Sequence, residues 1–74
     1  MRLRSLSARR LQVERWNFAR KTGADVIFRP GLGRPVATRT ASLAHMVGPD
    51  AFVFVMGIAG RVPLDRVTPA GIGG

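Results

Sequence analysis

"AFVFVMGIAGRVPLDRVTP", residues 51–69, is the stretch on which the fold turns. An apolar run ends at Gly57, a second glycine follows at Gly60, and the chain continues through Pro63 and Leu64 to Val67. The run 52–58 is about a third of what a membrane-spanning helix needs. It shows no alternation of apolar and polar residues, which predicts a strand covered on both faces, central to a small β unit. Residues 57–60 turn the chain and 61–65 begin a last short strand. Pro63 lacks an N–H and confines that strand to an edge or an end.

Upstream, the same β grammar reaches back to Gly23. "VGPDA" (47–51) reads as a tight turn, with Pro49 fixing φ. "VATRTASLA" (36–44) alternates, placing Val36, Thr38, Thr40 and Ser42 on one side and Ala37, Arg39, Ala41 and Leu43 on the other. "RPGLGRP" (29–35) is a loop by its Pro and Gly content, and "DVIF" (25–28) is a short strand. Four or five short strands in about 45 residues, separated by regular turn signals, predict a small barrel or sandwich.

Before Gly23 the pattern is helical. "SARRLQVERWNFARK" contains no Gly or Pro, and Ser5 or Ser7 is a candidate cap. Leu11 groups with Phe18 and Leu6 with Val13, but arginines interrupt both stripes. Lys21 suits a helix C-terminus and Gly23 a left-handed cap just beyond it. The expected organisation is a basic N-terminal arm or helix (1–21), a small β-barrel (22–69) and a flexible tail (70–74).

The chain has 74 residues, no cysteine and a formal charge of +8. A single domain of this size buries only a modest share of its surface, and neither a disulfide nor a thiolate metal site can reinforce it. His45 alone holds no metal, and no cofactor is expected. The charge is uneven: residues 1–21 carry six arginines and one lysine against Glu14, whereas residues 22–74 carry five arginines against three aspartates. A basic segment ahead of a compact unit predicts attraction to polyanions. The N-terminus is basic, but no apolar stretch of about seven residues follows, so it does not read as a secretory signal; its Arg- and Ser-rich composition also describes a transit peptide. The expectation is a soluble cytoplasmic protein with no membrane partner.

The ending "GIAGRVPLDRVTP" resembles SH3-type barrels, in which Gly-x-x-Gly precedes a short strand and a Pro-x-x-x-Val turn follows. More of the chain is similar to a group of small SH3-like proteins of phages and prophages. The matching residues are Trp16-Asn17, Gly23 and Val26, Pro30-Gly31, residues 38–44, residues 52–55, Gly57 with Gly60, and Leu64 with Val67. The resemblance covers about residues 16–69. It implies a mainly β, SH3-like barrel of four or five strands behind a basic helix, and a mobile-element origin, without assigning an activity. Plasmid-type dihydrofolate reductase also folds as an SH3-like barrel at this length. Its Gln-Ile-Tyr pore stretch is replaced here by "RVPLD", and the chain contains no tyrosine.

Ser42, His45 and Asp50 have the residue types of a hydrolase triad, but Ser42 reads more plainly as part of a hydroxyl-bearing strand face. The Gly-x-Gly of "RPGLGRP" lacks the Gly-Lys-Ser/Thr of a phosphate-binding loop, and Pro35 offers no N–H. Trp16 reads as the residue that docks the helix. These considerations predict a protein that is not an enzyme. The leading expectation is nucleic-acid binding, DNA or RNA, through backbone phosphates, with Arg9, Arg10, Arg20, Lys21, Arg29 and Arg34 as contributors. The alternative is a protein-interaction module, an inhibitor, adaptor, virion component or homo-oligomer subunit. It would set the apolar face of 52–58 and its arginines against an acidic protein surface.

Overall fold

The computed structural model describes residues 2–70, with side chains from Ser7 onward. The chain is small and mostly β, with one N-terminal helix and two antiparallel sheets. Helix α1 (Arg2–Ala19) is followed by β1 (Asp25–Phe28), β2 (Val36–Arg39), β3 (His45–Val47), β4 (Asp50–Val53) and β5 (Val62–Pro63). A 3₁₀ turn (Leu64–Arg66) leads into β6 (Val67–Pro69). One sheet has the order β2-β1-β6 and the other β3-β4-β5. The expected four or five strands are therefore six, and neither sheet closes into a barrel. Of the expected tail, only Ala70 falls among the described residues.

Turn chemistry sets the hairpins. Val47 pairs with Asp50, leaving the two-residue loop Gly48-Pro49. Gly48 has φ +61°, the positive value that a Gly-first hairpin turn requires and that proline at the next position tolerates. Phe28 pairs with Val36, so "RPGLGRP" is the tip of the β1–β2 hairpin. Helix α1 stops at Ala19, short of the expected Lys21. Gly23, with φ +96°, is not its cap but the third residue of a Lys21–Ala24 turn, closed by the Ala24 N–H donating to the Lys21 carbonyl at 3.1 Å.

The two sheets meet at Thr40, which bridges to Val55. Around it Ala41 N–H donates to the Phe54 carbonyl at 2.7 Å and Met56 N–H to the Arg39 carbonyl at 2.9 Å. The chain leaving β2 is thus joined to the chain leaving β4. Thr40 is 1% exposed and its polar atoms are fully engaged. Its Oγ1 accepts from the Gly23 and Ala24 N–H groups at 2.9 and 3.2 Å. Its own N–H donates to the Ala24 carbonyl at 3.0 Å.

Between the sheets lies a core of Val26, Phe28, Ala51, Val53, Val55, Val62, Leu64 and Val67, completed by Val13 and Trp16 of α1. The stretch 51–56 departs from its expected burial on both faces. Ala51, Val53 and Val55 point inward, whereas Phe52 is half-buried and Phe54 and Met56 are exposed. Period-2 alternation is present, hidden in the sequence because both faces are apolar. Pro63 stands in the edge strand of its sheet, where its missing N–H does no harm.

Helix α1 docks through one face. Residues 9, 12, 13, 16 and 17 recur at helical spacing: Val13 and Trp16 enter the core, and the polar three bond to the β unit. Asn17 acts as a strand-like clip on Ala44, its Nδ2 donating to the Ala44 carbonyl at 3.0 Å while its Oδ1 accepts the Ala44 N–H at 2.8 Å.

Replacing Thr40 by valine keeps the shape but removes the acceptor for two turn N–H groups, and is expected to cost about 1–3 kcal/mol. Thr40→Ser, which keeps the hydroxyl, should cost clearly less. Urea unfolding of the two variants measures the difference, and a T40V midpoint equal to wild type would show that the knot contributes nothing.

Candidate functional site

The six cations expected to face a polyanion differ in what already holds them. Arg9 Nη1 donates to Asp65 Oδ2 at 2.6 Å and to Gln12 Oε1 at 3.2 Å. Gln12 Nε2 donates to the other oxygen of Asp65 at 3.0 Å. Helix α1 is thus tied to the 3₁₀ turn by a carboxylate clamped from two helical positions. The Arg20 guanidinium lies over the Trp16 ring, 4.3 Å from its centroid. That geometry leaves its N–H edges available while the ring carries its flat face. Arg29 Nη1 donates to Thr68 Oγ1 at 2.9 Å. Arg10, Lys21 and Arg34 are exposed.

The fold brings some of these together. Arg29, Arg66 and Thr68 line a shallow groove with Pro63 and Asp65. Arg9 borders the adjoining groove with Asp50, Phe52, Pro63 and Asp65. Asp65 and Pro63 line both grooves, so Arg9 and Arg29 border neighbouring grooves that share these two residues. Arg20 lies elsewhere, with Leu11, Arg15 and Trp16 along the helix, and Arg10, Lys21 and Arg34 border neither groove. The residue that sequence reasoning missed is Arg66. Its guanidinium lies over the loop, 3.7 Å from where a Cβ on Gly31 would stand, and its carbonyl accepts the Arg29 N–H at 2.8 Å. Only its charge was visible in the sequence; its closeness to Arg29 comes from the β1–β6 pairing, Phe28 opposite Val67.

A second group of side chains sits on the outer face of the β3-β4-β5 sheet. His45 pairs with Phe52 across the strands, and Phe52 with Pro63. The His45 and Phe54 rings stack with centroids 5.6 Å apart and planes 22° apart. The Arg61 guanidinium stands over Phe52 at 5.4 Å. Ser42 and His45 do not form a catalytic pair: Ser42 Oγ donates to the Leu43 carbonyl at 2.9 Å and accepts the Phe54 N–H at 3.1 Å. The His45 ring nitrogen instead faces the Leu43 carbonyl at 3.3 Å.

Among the described residues the ion pairs are Arg9–Asp65 and Arg39–Asp25. No cluster of three potential metal ligands occurs among them, and none of their helices is long and apolar enough to cross a membrane. The chain matches no protein-family model, no curated protein and no solved structure.

The hydrogen bonds from Gln12 and then Arg9, with the Arg9 charge, hold the Asp65 carboxyl below its ordinary range. The carboxylate form is therefore favoured in the folded state. That contribution is present above the unfolded value, near pH 4, and is lost as pH falls through the folded one. Both partners are well exposed, 38% and 53%, so its size is a few tenths of a kcal/mol. Asp65→Asn is expected to be slightly less stable than wild type at pH 7 and to converge with it near pH 2–3. Urea midpoints at the two pH values decide; a difference that persists in acid would mean that the clamp works without its charge.

Proposed function

We propose that this chain is a small non-enzymatic accessory protein of phage or prophage type, acting in the host cytoplasm and binding nucleic acid through backbone phosphates. The single observation that carries this is the imbalance of charge on a folded frame. Twelve cations face four acidic residues, and two of those acids are already committed to internal pairs with Arg9 and Arg39. The remaining cations repel one another unless an outside polyanion meets them. The SH3-like reading is supported by the stretch that first suggested it. After Gly57 and Gly60 the chain makes the short strand β5, and Pro63 to Val67 is the 3₁₀ turn into β6.

Within this reading the contributors rank by availability. Arg10, Lys21 and Arg34 are exposed and carry most of the contact. Arg29, joined by Arg66, forms a groove-borne pair. Arg20 contributes an edge while Trp16 holds its face. Arg9 contributes least, because Asp65 already engages it. Such contacts position the protein without reading sequence.

If about five cations engage duplex phosphates, log K falls with log[salt] at a slope near −4.5, or roughly 500-fold between about 50 and 200 mM salt. Arg10→Ala combined with Lys21→Ala should flatten that slope by nearly two. Anisotropy titrations of labelled duplex and RNA at the two salt concentrations provide the measurement. Undetectable or salt-independent binding would remove the proposal.

A further inference from the structure

In β4 and its continuation the usual size order is inverted. Ala51, Val53 and Val55 fill the interior, while Phe52, Phe54 and Met56 stand on the outer face, Phe54 at 38% and Met56 at 58% exposure. Leaving large side chains outside while alanine and valine take the inside forfeits burial that the reverse arrangement would gain. The outer face gathers rings in particular: Phe52, Phe54 and His45, with the last two already stacked and Arg61 placed over the first.

We infer that this face is a stacking platform for the bases of a single-stranded nucleic acid, an inference that rests on the nucleic-acid reading above and narrows its ligand. Three considerations select this occupant. First, a face with one exposed and two half-buried rings and an arginine suits a partner that brings both flat π-surfaces and negative charge, and a nucleotide strand supplies one of each per repeat. An acidic peptide supplies the charge without the flat faces. Second, a further copy of this chain brings another +8, which opposes its docking on a cationic surface. Third, Phe52 of β4 and Phe54 just beyond its end are two residues apart, so with extended spacing their Cα atoms are about 6.7 Å apart. That is about twice the ~3.4 Å rise of bases stacked along a duplex strand. It suits bases splayed apart, as proteins take them from single strands.

The platform and the cationic edge do different things. Phosphate contacts set the salt dependence, whereas ring stacking adds affinity that salt does not screen.

The experiment compares a 15-nucleotide oligothymidine and the corresponding oligouridine with a duplex of equal length, using wild-type full chain and the variants Phe54→Ala, Phe54→Leu and Phe54→Trp. Circular dichroism reports folding. The expected result is single strands bound more tightly than duplex at equal salt. F54A and F54L should lose roughly 5- to 100-fold on single strands, with an unchanged salt slope and duplex affinity within about two-fold. F54W should retain binding and show quenching of its indole. F54L is decisive because it keeps apolar area and removes the ring. If F54L binds like wild type, or single strands are not preferred, the platform is overturned while salt-dependent duplex binding leaves the phosphate reading standing. If the Phe54 variants change sedimentation and not affinity, the face is a self-association surface and the inference fails. If neither nucleic acid binds, both proposals fall together.

Discussion

Thr40 is where the chain's three parts meet. Its side chain receives the N–H groups of Gly23 and Ala24, which belong to the turn between helix and first strand. Its backbone exchanges bonds with the same turn on one side and bridges to Val55 on the other. A buried hydroxyl at this point costs desolvation unless every polar atom is satisfied, and here every one is. The consequence is directional. With the turn fixed, α1 leaves at an angle that brings Trp16 into the core and Asn17 onto Ala44. With the bridge to Val55 fixed, β4 must present its odd-numbered residues inward and Phe52, Phe54 and Met56 outward. The docking of the helix and the exposure of the rings thus follow from one hydrogen-bonded junction.

Where sequence signals were local, they were legible. The helix was visible because no Gly or Pro interrupts it. Its observed span, Arg2–Ala19, falls two residues short of the expected end at Lys21, since Gly23 serves the turn that follows rather than the helix end. The hairpin tips at residues 29–35 and 48–49 were visible because their Gly and Pro residues answer to backbone geometry within a few positions. What failed to show was anything that depends on distant partners. Asn17 clips a backbone 27 residues away, and Asp65 is held from 53 and 56 residues upstream; neither relation leaves a periodic trace. The facing of the run 51–56 was hidden for a different reason. Both of its sides are apolar, so hydrophobicity cannot tell inside from outside, and only the size of the side chains hints at it, in the direction opposite to common expectation.

The candidate interface shows the same division. Total charge and its concentration in residues 1–21 are properties of composition and needed no structure. The inequality among the cations did. Arg9 and Arg20 look alike in "ARRLQVERWNFAR", yet one is held by a carboxylate and the other by an indole face. Arg66 was passed over because it stands alone in the sequence, and it becomes a neighbour of Arg29 only through the pairing of β1 with β6.

Stability and charge pull against each other in this chain. Its core is built mainly from valine, alanine and leucine, and its largest exposed rings contribute little to it. Mutual repulsion among uncompensated cations lowers the stability of the compact state further. The two ion pairs among the described residues offset only a small part, since both are exposed and exposed pairs contribute modestly. A polyanion that binds only the folded form relieves the repulsion and adds its binding free energy to folding. A cationic surface on a thin core therefore makes physical sense as half of a complex: the residues left outside, guanidinium and ring alike, are those whose favourable environment the isolated chain does not provide.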